Sequence, residues 1–183
     1  MPVTLANPTP LGLVTFGLST ILLSACNAGL LEAGAPVLAQ ALFVGGLVQL
    51  IAGIMEFVKG NTFGCVVFSS FGGFWISVGF FDILPVLKWA PKGSDGLAGT
   101  FMLIWGVYVL LLLTGVIKGK DLLAFVVGTL ALLLFILAIG FYSGSAAIIK
   151  VAGFEGIICG AAALYLGCAI TLFETAGKKV LPF

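Results

Sequence analysis

Phe16, Thr20, Ser24 and Asn27 follow one another at intervals of four, four and three, the spacing of a single face of an α-helix. Gln49 and Glu56 lie seven apart with Gly53 between them, again on one face. Ser70, Phe74 and Ser77 align on a third, with Phe71 beside them. Each series interrupts an otherwise apolar run. Polar groups in hydrocarbon are costly, so they turn toward a bundle interior or a water-filled path. Two readings of the stripes stay open at this point. They could line a narrow passage for a polar solute, with the aromatic rings setting its width. Or they could pair across helices in a solid bundle, with Ser and Thr donating back to their own helix.

The remaining chemistry is sparse. The acids are Glu32, Glu56, Asp82, Asp95, Asp121, Glu155 and Glu174. Lysine is the only basic side chain, since the sequence contains neither Arg nor His. That removes the usual proton carrier and the commonest metal ligand. Most acids fall near the ends of apolar runs, where water and headgroups reach them. Glu56 is expected to pair with Lys59 three residues on. Glu155 and Asp82 are expected at the membrane interface. Glu56 and Glu155 are nonetheless the candidates for proton coupling. Cys26, Cys65, Cys159 and Cys168 have no CxxC spacing and read as small buried apolar residues. No carboxylate pair, no nucleophile beside a base and no phosphate loop is present. An enzyme, a metal site and a cofactor are therefore not expected, and a net charge of +1 gives no field to steer nucleic acid.

These side chains must be positioned by membrane helices. The 183 residues are 61% hydrophobic and 8% charged, against about 25% charged in soluble domains. Such a chain cannot cover itself with a polar surface, so the fold class is an all-α integral membrane protein. Six apolar stretches reach the roughly 20 residues needed to span a bilayer, near 9–30, 37–58, 63–82, 97–117, 122–142 and 152–173. The breaks are LEAGAP (31–36), KGNT (59–62), LPVLKWAPKGSDG (84–96), KGKD (118–121) and SGSAAIIK (143–150). None is long enough to fold alone, so 1–183 reads as a single six-helix transmembrane domain. No basic region precedes the first run, which is too long for the core of a cleaved signal peptide. Six spans return the chain to its starting side. With the N-terminus inside, Lys59, Lys118, Lys120, Lys178 and Lys179 are cytoplasmic and Lys88, Lys92 and Lys150 are outside, a positive-inside bias that puts both termini in the cytoplasm. Three plus three spans suit two inverted halves, and LGLVTFG in the first span faintly echoes TFMLIWG in the fourth. The small-xxx-small pairs Gly140/Gly144 and Gly156/Gly160 permit close helix contact, within one protomer or between copies.

The first span opens on NPTPLGL. Proline is tolerated in a first helical turn and Asn is a good N-cap, so Asn7-Pro8 reads as a capped helix start. Its free N–H groups and positive dipole end attract anions. The stretch is thus a plain start signal or a mouth for a carboxylate. NPTPLGL closely resembles the NPAPLGL signature of the acetate uptake transporter family, which includes bacterial succinate–acetate permeases and yeast ammonia/acetate export proteins. GNTFGCVVFSSFGGFW (60–75) resembles the family's second signature, and AGFEGIICGAAALYL (152–166) its last-span segment. The similarity runs from about residue 6 to the terminal VLPF.

The resemblance implies a six-helix protomer with one pore, assembled as a homo-hexamer in the cell membrane (plasma or bacterial inner). It implies passage of acetate, and of succinate or related small carboxylates in some members. Its constriction of two aromatics and a leucine falls on Phe16, Phe71 and Leu130. Phe71 departs from the family's tyrosine, which removes a hydrogen-bond donor there. Asn7, Pro8, Thr20, Asn27, Gln49, Asn61, Thr62 and Ser70 are the polar or signature positions expected along the substrate path. A carboxylic acid with a pKa near 4.3 is only about one part in 500 neutral at pH 7. A pore that offers amides and hydroxyls, with a greasy ring that excludes water and ions by dewetting, would lower the barrier to its anion. Whether acetate crosses alone, as through a channel, or with a proton, as in a symporter, stays open. A urea or amide channel of similar size is the alternative from another substrate class, and a structural organiser without transport is a third.

Overall fold

Four helix starts are set by short polar side chains at the N-cap. Asn61, Ser94, Asp121 and Ser145 each accept a hydrogen bond from the backbone N–H three residues on, at Gly64, Leu97, Ala124 and Ile148. Such a cap contributes about 1 kcal/mol and fixes where a helix begins even when the flanking sequence is apolar. The computed structural model describes residues 5–119 and 121–183; Lys120, one of the lysines in the charge count, lies outside the described residues. Six helices are long and apolar enough to cross a membrane: α1 Thr9–Asn27, α2 Ala35–Lys59, α3 Thr62–Val86, α4 Asp95–Gly119, α5 Leu122–Ser143 and α6 Ala146–Ala176. The protein is a multi-pass membrane protein.

Two boundaries differ from expectation. α3 runs four residues past 82, which leaves Asp82 exposed near its end. α6 starts six residues before 152. The segment 143–150 is a turn only at Gly144 and Ser145: Gly144, at φ 62°, ends α5 in the left-handed conformation, and the Ser145 cap starts α6 at once. Glu155 is therefore nine residues into α6, about 13 Å along its axis at 1.5 Å per residue.

Residues Gln40–Val48 of α2 form a π-helical stretch, a wider turn often found at functional sites. It contains the Gly45-Gly46 pair, where a Cβ at Gly45 would lie 2.7 Å from Ser19 Oγ and Trp75 Cγ.

α1 lies along α6. α2 packs on α3 and α1, and α5 packs on α4 and α6. Glycine permits the α1–α6 approach: a Cβ at Gly17 would lie 2.6 Å from the Gly160 carbonyl, and one at Gly160 would lie 2.9 Å from that of Gly17. The Gly156/Gly160 pair is thus used inside the protomer, and Gly140 likewise faces Ile149 of α6. α3 and α4 meet through rings. Phe74 stacks on Phe101 at 5.5 Å and meets Trp105 edge-on at 5.0 Å.

Candidate functional site

Alternating direction makes α1, α3 and α5 parallel to one another and α2 antiparallel. The starts of α1, α3 and α5 therefore gather at one end with the end of α2. A cavity of about 100 Å³ enters there, between Thr9, Asn61, Phe63 and Leu123. It is lined further in by Leu13, Phe68 and Val127 and reaches Phe16, Phe71 and Leu130. The two rings meet edge to face, centroids 5.9 Å apart and planes at 82°. Phe71 is 1% exposed and is braced by Phe74 at 5.5 Å and Trp105 at 5.2 Å. Among the described residues the wall is almost wholly apolar, with Thr9, Gln49 and Asn61 as its polar members and no cationic side chain.

The mouth is a hydrogen-bonded cluster around a fully buried acid. Glu56 is 0% exposed. The Thr9 hydroxyl donates to its Oε1 and the Asn61 amide to its Oε2, the latter at 2.8 Å. Asn61 is tied to both the cap of α3 and this carboxylate. Lys59 does not pair with Glu56: its Nζ donates to Asn7 Oδ1 at 2.9 Å, and Asn7 Nδ2 donates to Glu174 Oε1 at 2.7 Å. The reason is geometric, since Glu56 faces the bundle while Lys59 is exposed at the helix end.

The three polar stripes behave differently. On α2, Gln49, Gly53 and Glu56 are all buried. On α1, Phe16 faces the cavity and Thr20 lies buried one turn beyond it. Ser24 turns toward α6, against Gly156. Asn27 is half-buried at the far end of α1, away from the cavity. On α3, Phe71 lines the cavity while Ser70, Phe74 and Ser77 are not part of its wall. Ser70 donates to the Val67 carbonyl and meets the Tyr108 hydroxyl of α4 at 3.0 Å, and Ser77 donates to the Gly73 carbonyl. Thr62 is exposed at the start of α3.

At the NPTP start, Pro8 is the buried N-cap of α1. Asn7 stands one residue before it and accepts from the Thr9 N–H at 3.3 Å. Asn7 is engaged by Lys59 and Glu174. Glu155 lies on α6 away from the cavity, with both carboxylate oxygens buried and without a hydrogen-bond partner among the described residues. Of the cysteines only Cys159 is buried. Cys26 and Cys65 are half-buried and Cys168 is exposed, because all four sit in helices whose outer faces are apolar too.

Sequence reasoning missed Thr9, Leu13, Phe68 and Val127. Thr9 could have been found, as the one hydroxyl inside the NPTP signature. The others are apolar residues among many, with no local mark.

Six apolar helices around a narrow cavity, polar at its mouth and closed inside by an aromatic–leucine ring, define a membrane protein of the channel or transporter class. The chain belongs to the GPR1/FUN34/yaaH family, whose sequence pattern it matches over residues 1–178. It is 43% identical over 178 residues to the succinate-acetate/proton symporter SatP of Escherichia coli, covering 97% of this chain and 95% of that one. It is 35% identical to acetate permease A of Emericella nidulans, covering 87% of this chain and 59% of the longer relative. A solved structure of the bacterial acetate channel SatP superposes with a TM-score of 0.96 at 42% identity, covering 98% of this chain and 99% of that one.

Proposed function

We propose that this protein carries acetate, and other short carboxylates such as succinate, across a cell membrane through a pore formed by its single six-helix domain. The observation that carries this reading is the cavity closed by Phe16, Phe71 and Leu130. A ring of this kind excludes water and hydrated ions by dewetting, while a methyl-bearing solute is compatible with it. Thr9, Asn61 and Gln49 supply the hydrogen bonds that replace part of the solute's hydration on the way in. The names of the relatives support acetate over urea or an amide as the natural solute, and transport over catalysis. The assembly proposed is a homo-hexamer with one pore per protomer and both termini in the cytoplasm, which puts the Glu56 mouth on the cytoplasmic side.

Between the two acids, Glu56 is the proposed proton carrier, because it stands at the mouth while Glu155 does not reach the cavity. An anionic Glu56 repels an entering carboxylate across Thr9 and Asn61, which stand between it and the cavity; a protonated one does not. Passage with a proton is electroneutral, and passage of the bare anion is not. The test is labelled acetate uptake into proteoliposomes, corrected for protein-free vesicles, under an imposed pH gradient or an imposed potential. Uptake that follows the pH gradient and ignores the potential is expected. No uptake above protein-free vesicles would overturn the transport reading.

A further inference from the structure

A second cavity lies outside the pore, on the outer surface of the bundle, where the start of α1 meets the end of α6. It is a groove of about 350 Å³. Its deep part is apolar. Pro10, Leu11 and Val14 of α1 form one wall, with Val14 four residues past Pro10 and about 6 Å further along the helix. Thr171 and Thr175 of α6 form the other wall. Their hydroxyls are spent on their own helix, donating to the Gly167 and Thr171 carbonyls at 2.8 and 2.9 Å. The two helices close on each other at Gly167, one turn below Thr171. A Cβ there would lie 2.8 Å from Val14 Cγ2 and 3.0 Å from the Pro10 carbonyl oxygen.

The rim is charged, and its charges are held apart. Asn7 and Glu174 border the groove at the helix ends. The Asn7 amide stands between an acid and a base: Nδ2 donates to Glu174 Oε1, and Oδ1 accepts from Lys59 Nζ. Oδ1 also accepts from the Thr9 N–H, so the amide is fixed in orientation. Neither charge is used up. Among the described residues Glu174 Oε2 takes no hydrogen bond, and Lys59 Nζ, which carries three donors, makes only the one to Asn7. An acid and a base in direct contact satisfy each other. Kept one amide apart, they offer a negative and a positive pole side by side at the membrane surface.

Shape and charge together select the occupant. A groove that is polar at the membrane surface and apolar below it fits an amphiphile aligned with the bilayer lipids. Two opposite poles at the rim fit a zwitterionic headgroup, and Lys59 supplies the basic group that a lipid phosphate takes. The carboxylate decides which zwitterion. Its strong bonds are those to a charged donor; a primary ammonium carries three N–H groups, and a quaternary choline carries none. We propose that the groove between α1 and α6 is a lipid site for phosphatidylethanolamine, with the ammonium on Glu174, the phosphate on Lys59 and an acyl chain along Leu11 and Val14. The headgroup then touches the two side chains that hold Asn7 at the start of α1. The site does not depend on which solute crosses.

The test is native mass spectrometry of the intact protein in detergent, titrated with phosphatidylethanolamine, phosphatidylcholine or phosphatidylglycerol of the same acyl chains. Phosphatidylethanolamine is expected to bind wild type about tenfold more tightly than phosphatidylcholine, the difference of one charge-assisted hydrogen bond. Glu174→Gln is expected to bring phosphatidylethanolamine down to the phosphatidylcholine level. Lys59→Gln is expected to weaken all three lipids, since all three carry the phosphate. Equal binding of phosphatidylethanolamine and phosphatidylcholine by wild type overturns the site, and this comparison needs no variant to fold. So does an ethanolamine preference that survives Glu174→Gln, or tighter binding of phosphatidylglycerol than of either zwitterion. Leu11→Cys tests the rival occupant, a second copy of this chain: a disulfide-linked dimer that forms in membranes with this variant and not with wild type also overturns the lipid site.

Discussion

Gly12, the glycine of NPTPLGL, gives the sharpest probe of whether the cavity is the path. A Cβ there would lie 2.5 Å from Phe68 Cδ1 and Cε1 and 2.6 Å from Cγ. Ordinary contact begins near 3.4 Å, so the ring must withdraw by 3.4 − 2.5, or about 0.9 Å. Phe68 is buried and forms part of the cavity wall, so Gly12→Ala crowds a lumen of only about 100 Å³. Overpacking of this size costs about 1–3 kcal/mol. If the barrier to passage bears it, uptake falls between about fivefold and somewhat over a hundredfold. The assay is the initial rate of labelled acetate uptake, normalised to folded protein in the membrane. Gly73→Ala is the control, because nothing lies within 4 Å of a Cβ at Gly73, and it should transport like wild type. Phe68→Leu added to Gly12→Ala should recover rate, as expected of residues in contact. A Gly12→Ala protein that is present, folded and as fast as wild type would refute the assignment of this cavity as the pathway.

Phe16→Ala should raise flux and admit larger carboxylates such as butyrate, read as competition against labelled acetate; an unchanged substrate profile would count against the ring as a gate. Glu56→Gln keeps the shape and one acceptor for Thr9 or Asn61 but cannot carry a proton. Only bulk neutral acid then enters, so its uptake should rise about tenfold for each pH unit lowered from 7 toward 5.5, following the neutral fraction of a group with pKa near 4.3. Wild type should show a shallower profile. Identical profiles would remove Glu56 from proton handling and shift attention to Lys59 and Glu174, the charged groups linked to that mouth through Asn7.

The number and order of the helices were legible because hydrocarbon thickness sets the length of an apolar run. Helix ends were less so: α6 begins early because one hydroxyl, that of Ser145, caps it among apolar residues that resemble either a loop or a span. The π-helical stretch of α2 left almost no trace. A lipid-facing helix is apolar on its outer side and often on its inner side too, so periodicity carries little information there, and only the Gly45-Gly46 pair marks the place. The stripes teach the more general lesson. Ser70 and Ser77 shared a face with Phe74 yet point away from the cavity, because a hydroxyl can satisfy itself on the preceding turn of its own helix. Gln49 and Glu56 have no such outlet, and their stripe is the one buried throughout. Phe16, Phe71 and Leu130 came from the family resemblance, and the structure brings the three together.

The lack of a cation along the wall among the described residues bears directly on which form of the substrate crosses. To protonate an acid of pKa 4.3 at pH 7 takes 2.7 units at 1.36 kcal/mol each, about 3.7 kcal/mol. Carrying a bare anion to the middle of a membrane costs between about 3 and more than 10 kcal/mol, and it reaches the low figure only where water or partners follow the charge. A ring of two phenyl groups and a leucine supplies neither. Each unit of acidification lowers the first figure by 1.36 kcal/mol and leaves the second unchanged, so the neutral route gains wherever a proton is held close to the mouth. Glu56 is buried there, bonded to two neutral donors and to no lysine. A dry ring next to a buried acid is better suited to move acetic acid than acetate.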